Sequence, residues 1–261
     1  MAANDNGYEM RFSVRYGEIG FNNLATFSAL GNWLQEAAGL SADTLGFGED
    51  ILWQRGLTWI LARLVLRVKR MPHAGEELCV RTWPSRHDRF GYRGYELFDA
   101  SGDCIASSGS AWMVMRLADR QPMPVPQDVA DAFPRNPRDC DAFTCRAIPR
   151  LRAEQTEAAL LRVRRDDLDI NGHVNNTRYL AWLLEPVQAD GDDRATPLLM
   201  DVTFRAECFP QEELESACAL APAPAEAPGE IFGAEASRCR LHSIRRLGDD
   251  AEVCRALTLW R

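Results

Sequence analysis

The strongest constraint on this chain is that it carries the same pattern twice. Displaced by 149 positions, Ser13-Val-Arg-Tyr-Gly-Glu-Ile-Gly-Phe-Asn22 falls on Arg162-Val-Arg-Arg-Asp-Asp-Leu-Asp-Ile-Asn171, and the match continues without a gap. Val14, Arg15, Asn22, Trp33, Leu34 and Glu36 meet identical residue types at Val163, Arg164, Asn171, Trp182, Leu183 and Glu185. Identity held at one ungapped offset means two copies of one structural unit, so the fold must be a pair.

Each copy opens on an alternating strand, Met10-Arg-Phe12-Ser-Val14-Arg-Tyr16 in the first. The apolar spacing then changes to that of a helix, with Leu24, Phe27, Leu30, Leu34 and Ala38 in the first copy and Leu180, Leu183, Leu184 and Val187 in the second. Strand-like runs follow at 57–68, 77–83, 90–98 and 104–117, bounded by turn residues such as Pro72, Gly75 and Pro84. The second copy predicts strands at 159–165 and near 197–206, 213–220, 231–245 and 252–260. One strand, a long apolar helix and about four antiparallel strands bury the helix only if the sheet wraps it. The fold class is therefore α+β, with two tandem units sharing an extended sheet and a cleft between them. Prolines crowd the region between the copies, which predicts a first unit at 1–125, a linker at 126–155 and a second unit at 156–261.

Composition removes several function classes. A net charge of −8 opposes a phosphate-tracking surface, so no nucleic-acid partner is expected. No apolar run reaches the roughly 20 residues of a bilayer span, and the first residues have neither the basic nor the apolar stretch of a signal peptide, which predicts a cytoplasmic protein without a membrane partner. The eight cysteines contain no C-x-x-C pair and are expected to stay outside disulfides. No two of the four histidines stand at i, i+4, so neither a metal nor any other cofactor is expected. No G-x-S-x-G elbow, phosphate loop or dinucleotide fingerprint occurs.

The copies differ where chemistry would sit. Before its helix the second copy has Asp169, Asn171 and His173, where the first has Gly20, Asn22 and Leu24. Singly, these are turn formers and a polar neighbour of a helix cap. Together, an acid, an amide and an imidazole in front of a helix N-terminus form a polar cluster suited to a developing oxyanion.

The run Asp-Leu-Asp-Ile-Asn-Gly-His173-Val-Asn-Asn-x-x-Tyr179 resembles the active-site segment of the acyl-acyl-carrier-protein (acyl-ACP) thioesterases, which are tandem hotdog enzymes. Leu57-Thr-Trp59-Ile-Leu-Ala-Arg63 and Val80-Arg-Thr-Trp83 are similar to that family's first half, and Phe204-Arg-Ala-Glu207-Cys208 to its second. The resemblance implies a double hotdog that hydrolyses fatty-acyl thioesters on acyl carrier protein, with Asp169, Asn171, His173 and Glu207 as the catalytic network. Cys208 is the auxiliary candidate, either an activated thiolate or a buried small hydrophobe; the carboxylate beside it favours the second. Glu207 would serve as general base or as first-attacking carboxylate. The resemblance points to the first half as the acyl-chain pocket, with Trp33 and Trp59 as substrate-binding candidates there and Asn175 and Asn176 in the second half. Arg146, Arg150, Arg152, Arg164 and Arg165 are candidates for docking an acidic carrier. The alternatives are an acyl-CoA thioesterase of the same fold and a non-catalytic acyl-thioester-binding regulator. Acyl-chain length and homodimer formation are left open.

Overall fold

The computed structural model describes residues 7–133, 139–140, 143–152, 156–187 and 196–261. The first half contains β1 (Tyr8–Ser13), α1 (Phe27–Thr44), α2 (Glu49–Gln54), β2 (Leu57–Val68), β3 (Glu77–His87), β4 (Gly91–Asp99), β5 (Cys104–Arg116), β6 (Pro122–Met123) and α3 (Gln127–Asp131). The second contains β7 (Glu157–Arg162), α4 (Asn176–Trp182), β8 (Leu199–Phe204), β9 (Glu213–Leu220), β10 (Glu230–Ile231), β11 (Ala234–Glu235), β12 (Arg238–Arg246) and β13 (Ala251–Trp260).

The repeat read in the sequence is a repeat in space. Strands run in the order β1-β3-β4-β5-β2 and then β8-β13-β12-β9-β7, the second series retracing the first from the junction outward. The halves join where β2 pairs antiparallel with β8, Val65 facing Asp201, and this gives one sheet of eleven strands with β6 attached to β5. Alternate residues separate its faces. Leu64, Leu66, Met200 and Val202 point to the core that holds the helices, while Val65, Leu199, Leu241 and Leu257 point the other way. Helix α1 buries Leu30, Trp33, Leu34 and Ala37 against the first face.

Local structure also repeats at the same offset. A 3-10 turn at Tyr16–Glu18 corresponds to one at Arg165–Asp167, and the bridge Ile19 to Ala25 corresponds to Leu168 to Val174. Thr26 and Asn175, equivalent positions, both cap a helix with a side-chain oxygen. The helices then meet near the pseudo-symmetry axis: Ser28 Oγ donates to Thr177 O at 2.8 Å, joining residues that are themselves equivalent. Gly31 makes this approach feasible, because a Cβ there would lie 2.7 Å from Leu180 Cδ1.

The double hotdog stands, but the long second helix expected from the sequence does not. α4 has 7 residues against 18 in α1. The position equivalent to Ala37 in α1 is Pro186, which cannot donate to a carbonyl one turn back and disfavours helix in the residue before it. The end so created is satisfied by a buried histidine: His242 Nδ1 donates to Leu183 O at 2.9 Å, and its Nε2 accepts from Thr258 Oγ1 at 2.8 Å. Burial holds the pKa of this ring down to about 4, so it is neutral.

The region predicted as linker carries structure at both ends. Residues 126–133 form α3 and its approach, with Val129 and Ala130 buried on the first half. Residues 143–151 run as a strap over the sheet face opposite the helices, burying Cys145 and Ile148. Part of the expected linker, including Pro134 and Pro137, lies outside the described residues.

Candidate active site

The turn before α4 is built around Asp169. Its Oδ1 accepts from the N–H groups of Asn171 at 2.8 Å and His173 at 3.3 Å, while its own N–H donates to His173 O at 2.8 Å. Gly172 completes the turn at φ +78°, where a side chain is disfavoured. The first copy makes the same turn without an acid: Gly20 N–H donates to Leu24 O at 2.8 Å, and Asn22 Oδ1 accepts from Leu24 N–H at 3.1 Å. The backbone path therefore requires neither a carboxylate at 169 nor an imidazole at 173. Asp169 also takes over the bond that Asn22 makes in the first copy, which relieves the Asn171 amide of that duty.

Glu207 arrives from the loop just past β8. This loop is tied to the turn by Val174 N–H to Cys208 O at 3.0 Å and to β12 by Arg246 Nη1 to Glu207 O at 3.2 Å. Glu207 Oε1 stands 3.6 Å from His173 Nδ1, within ion-pair range but longer than a hydrogen bond. Phe209 meets the His173 ring edge-on, with centroids 5.3 Å apart. Sequence reasoning missed Arg120, which lies on the loop between β5 and β6 and whose Nη2 bonds Glu207 Oε2. The two residues are 87 positions apart and share no local pattern that could have shown the contact.

Beside the turn lies a cavity of about 260 Å³. Ala38, Ala42, Phe47, Trp59, Trp112 and Phe133 form its apolar wall in the first half, and Asp169, Ile170, Asn171, Asn175 and Asn176 close it from the second. Arg93 adds a buried guanidinium, donating from Nη1 to Ser41 Oγ at 2.9 Å and Thr82 Oγ1 at 3.2 Å. His173 and Glu207 are not among the lining residues.

Of the four substrate-binding candidates, Trp59, Asn175 and Asn176 line this cavity and Trp33 does not. Trp33 is buried in the core against Phe12, and its Nε1 donates to Glu18 Oε1 at 2.8 Å, so it fixes the first 3-10 turn to α1. Cys208 is wholly buried, and burial pushes its thiol up to about 11, with the Tyr179 hydroxyl pulling the other way. A thiol so placed is neutral at physiological pH and a poor nucleophile. Replacing Cys208 by alanine is expected to keep kcat within about tenfold of wild type, as steady-state hydrolysis would measure. A thousandfold loss in a folded variant would restore the thiolate reading. Among the described residues no group of His, Cys, Asp and Glu could hold a metal ion.

The second copy carries Asp169, Asn171 and His173 while the first supplies most of the cavity wall, an asymmetry within one double hotdog. Family models for the acyl-ACP thioesterase N-terminal and C-terminal domains match residues 5–133 and 151–261. The chain belongs to the acyl-ACP thioesterase family, enzymes that hydrolyse acyl-ACP thioesters in fatty-acid synthesis, and is itself a thioester hydrolase. It is 29% identical over 281 residues to oleoyl-acyl carrier protein thioesterase 1, chloroplastic, of Arabidopsis thaliana, with 97% of this chain and 76% of the relative covered. It is likewise 29% identical over 271 residues to a chloroplastic palmitoyl-acyl carrier protein thioesterase of Cuphea hookeriana, covering 97% of this chain and 62% of that one. The solved 12:0-ACP thioesterase from Umbellularia californica superposes with a TM-score of 0.79 at 25% identity, covering 97% of this chain and 93% of the other.

Proposed function

We propose that the chain releases free fatty acid from acyl-ACP at the turn Asp169 to Asn176, with the acyl chain in the cavity of the first half. The observation that carries this reading is the cavity itself, whose apolar wall comes from one copy and whose polar end is the Asp169 and Asn171 turn of the other. Glu207 takes the proton of a water that attacks the thioester carbon, and His173 lies against that carboxylate. The carbon–sulfur bond then breaks, and the carrier thiolate leaves and is protonated. Attack by the Glu207 carboxylate itself, through an anhydride that water opens, uses the same contacts. Asp169 holds the turn. The N-terminus of α4 contributes less to the oxyanion than its position in sequence suggested, because Asn175 Oδ1 already accepts from Thr177 N–H at 2.9 Å. The Asn171 side-chain amide and His173 are the groups we assign to that charge.

The carrier is the finer part of the proposal. The five candidate arginines do not act as one patch: Arg146, Arg150 and Arg152 ride on the strap at the outer sheet face, whereas Arg164 and Arg165 sit at the turn leading toward α4. Arg164 and Arg165, exposed beside the turn, are the pair we assign to an acidic carrier. None of the eight cysteines is in a disulfide, which fits work in a reducing compartment such as the cytoplasm. The test is hydrolysis of saturated acyl chains of increasing length, each on carrier protein and on coenzyme A. Faster turnover on carrier protein, with one preferred length, is expected. Equal or faster turnover on coenzyme A would replace the carrier assignment with the acyl-CoA reading.

A further inference from the structure

We infer that Arg120, from the first half, is a positioning residue of the active site and holds Glu207 in its working orientation. This rests on the assignment of Glu207 above and goes beyond it. Arg120 has φ +54°, a left-handed backbone that a residue with a Cβ rarely adopts. Such a conformation persists only where its surroundings impose it, and it gathers where side-chain aim matters.

The surroundings here do impose it. Arg116 N–H donates to Gln121 O at 3.0 Å, Leu117 N–H to Gly56 O at 2.8 Å and Gln121 N–H to Asp119 Oδ1 at 3.3 Å. These bonds fix the loop on both sides of Arg120 and anchor it to the end of α2. The guanidinium so aimed bonds Glu207 Oε2, while Oε1 of the same carboxylate faces His173. Held through Oε2 from the opposite half, the carboxylate presents Oε1 to the imidazole at 3.6 Å.

The other cation nearby does not compete for this role. Arg246 reaches only the main-chain oxygen of Glu207, and its guanidinium is engaged by Glu212 at 3.2 Å and Asp249 at 2.9 Å. Among the described residues, His173, Arg120 and Arg246 make the charged contacts to Glu207, with Glu212 behind Arg246 and the buried Cys208 thiol next in the chain. Arg120 is the one that binds its side chain from the opposite half, so the second half alone does not hold the site in order.

The test compares kcat and KM for wild type, R120M, R120K and E207Q on acyl-ACP. R120M is expected to lower kcat about tenfold or more with KM changed less than about threefold, since the group orients another and does not bind the carrier. R120K, which keeps the charge without the fork, recovers part of the lost kcat. A folded R120M with wild-type kcat overturns the inference, as does a rise in KM alone. Should R120M fail to fold, R120K decides: a kcat lowered severalfold at unchanged KM supports positioning, and a wild-type kcat overturns it. E207Q at wild-type turnover would remove the Glu207 assignment itself, an outcome distinct from an inert R120M beside an inactive E207Q.

Discussion

Glu207→Gln is expected to lower kcat on the order of a thousandfold while leaving the fold intact. The magnitude is that of removing a positioned general base or nucleophile, roughly 10² to 10⁴ in rate. The fold survives because the exchange is isosteric and the Glu207 side chain is 29% exposed, so no buried charge is abandoned. The main-chain tie from Arg246 to Glu207 O and the bond from Val174 to Cys208 O do not depend on the side chain. Steady-state hydrolysis, paired with thermal unfolding to show an unchanged midpoint, measures both halves of the expectation. Turnover within about tenfold of wild type would leave Asp169 as the acid to examine.

The largest expected stability effect lies on the other face of the sheet. Asp201 is fully buried at the β2–β8 junction. Its Oδ1 accepts from Arg63 Nε and its Oδ2 from Arg63 Nη2, both at 2.8 Å, and Thr144 adds its N–H at 2.8 Å and its hydroxyl. Arg63, paired with Thr203 at the same junction and itself nearly buried, also holds the strap through Cys145 O at 2.9 Å. Asp201→Ala leaves the Arg63 guanidinium without its carboxylate and two strap donors without an acceptor. Removing one partner of a buried ion pair costs about 3–5 kcal/mol, whereas an exposed pair such as Arg11 with Glu9 is worth about 1 kcal/mol or less. Denaturant unfolding of Asp201→Ala should therefore show a loss several times larger than that of Arg11→Ala. Similar losses from the two would mean that water replaces the missing carboxylate and that the strap is not held through this pair.

The ungapped repeat made the architecture legible, because two copies of a strand, an apolar helix and a run of strands admit few ways of burying both helices. The same alignment marked Asp169 and His173 by contrast with Gly20 and Leu24, and the matching turn at Gly20 to Leu24 shows why that contrast carries information. The short α4 was also written in the sequence, in Pro186 opposite Ala37, although the apolar spacing past it suggested a longer helix. Other features were not legible. Trp33 and Trp59 both read as large apolar residues near the pocket, and only the fold sends one to the core and the other to the cavity wall. Arg120 and Glu207, or Arg63 and Asp201, meet because distant strands are brought together, and charge alone does not select partners among thirty cations and thirty-eight acids.

The close contact of the two copies at Gly31 and Thr177 has a consequence for how such a protein can change. In a pair built from identical chains, every substitution appears at both sites at once, so a residue that improved lipid capture at one would also remove catalysis from the other. Joined in one polypeptide, the copies always find each other and each position can vary independently. Leu24 opposite His173, and an 18-residue helix opposite a 7-residue one, are the divergence that this arrangement permits. Under the proposed assignment, one half is thereby free to adapt to the tail of the substrate without disturbing the bond-breaking groups of the other.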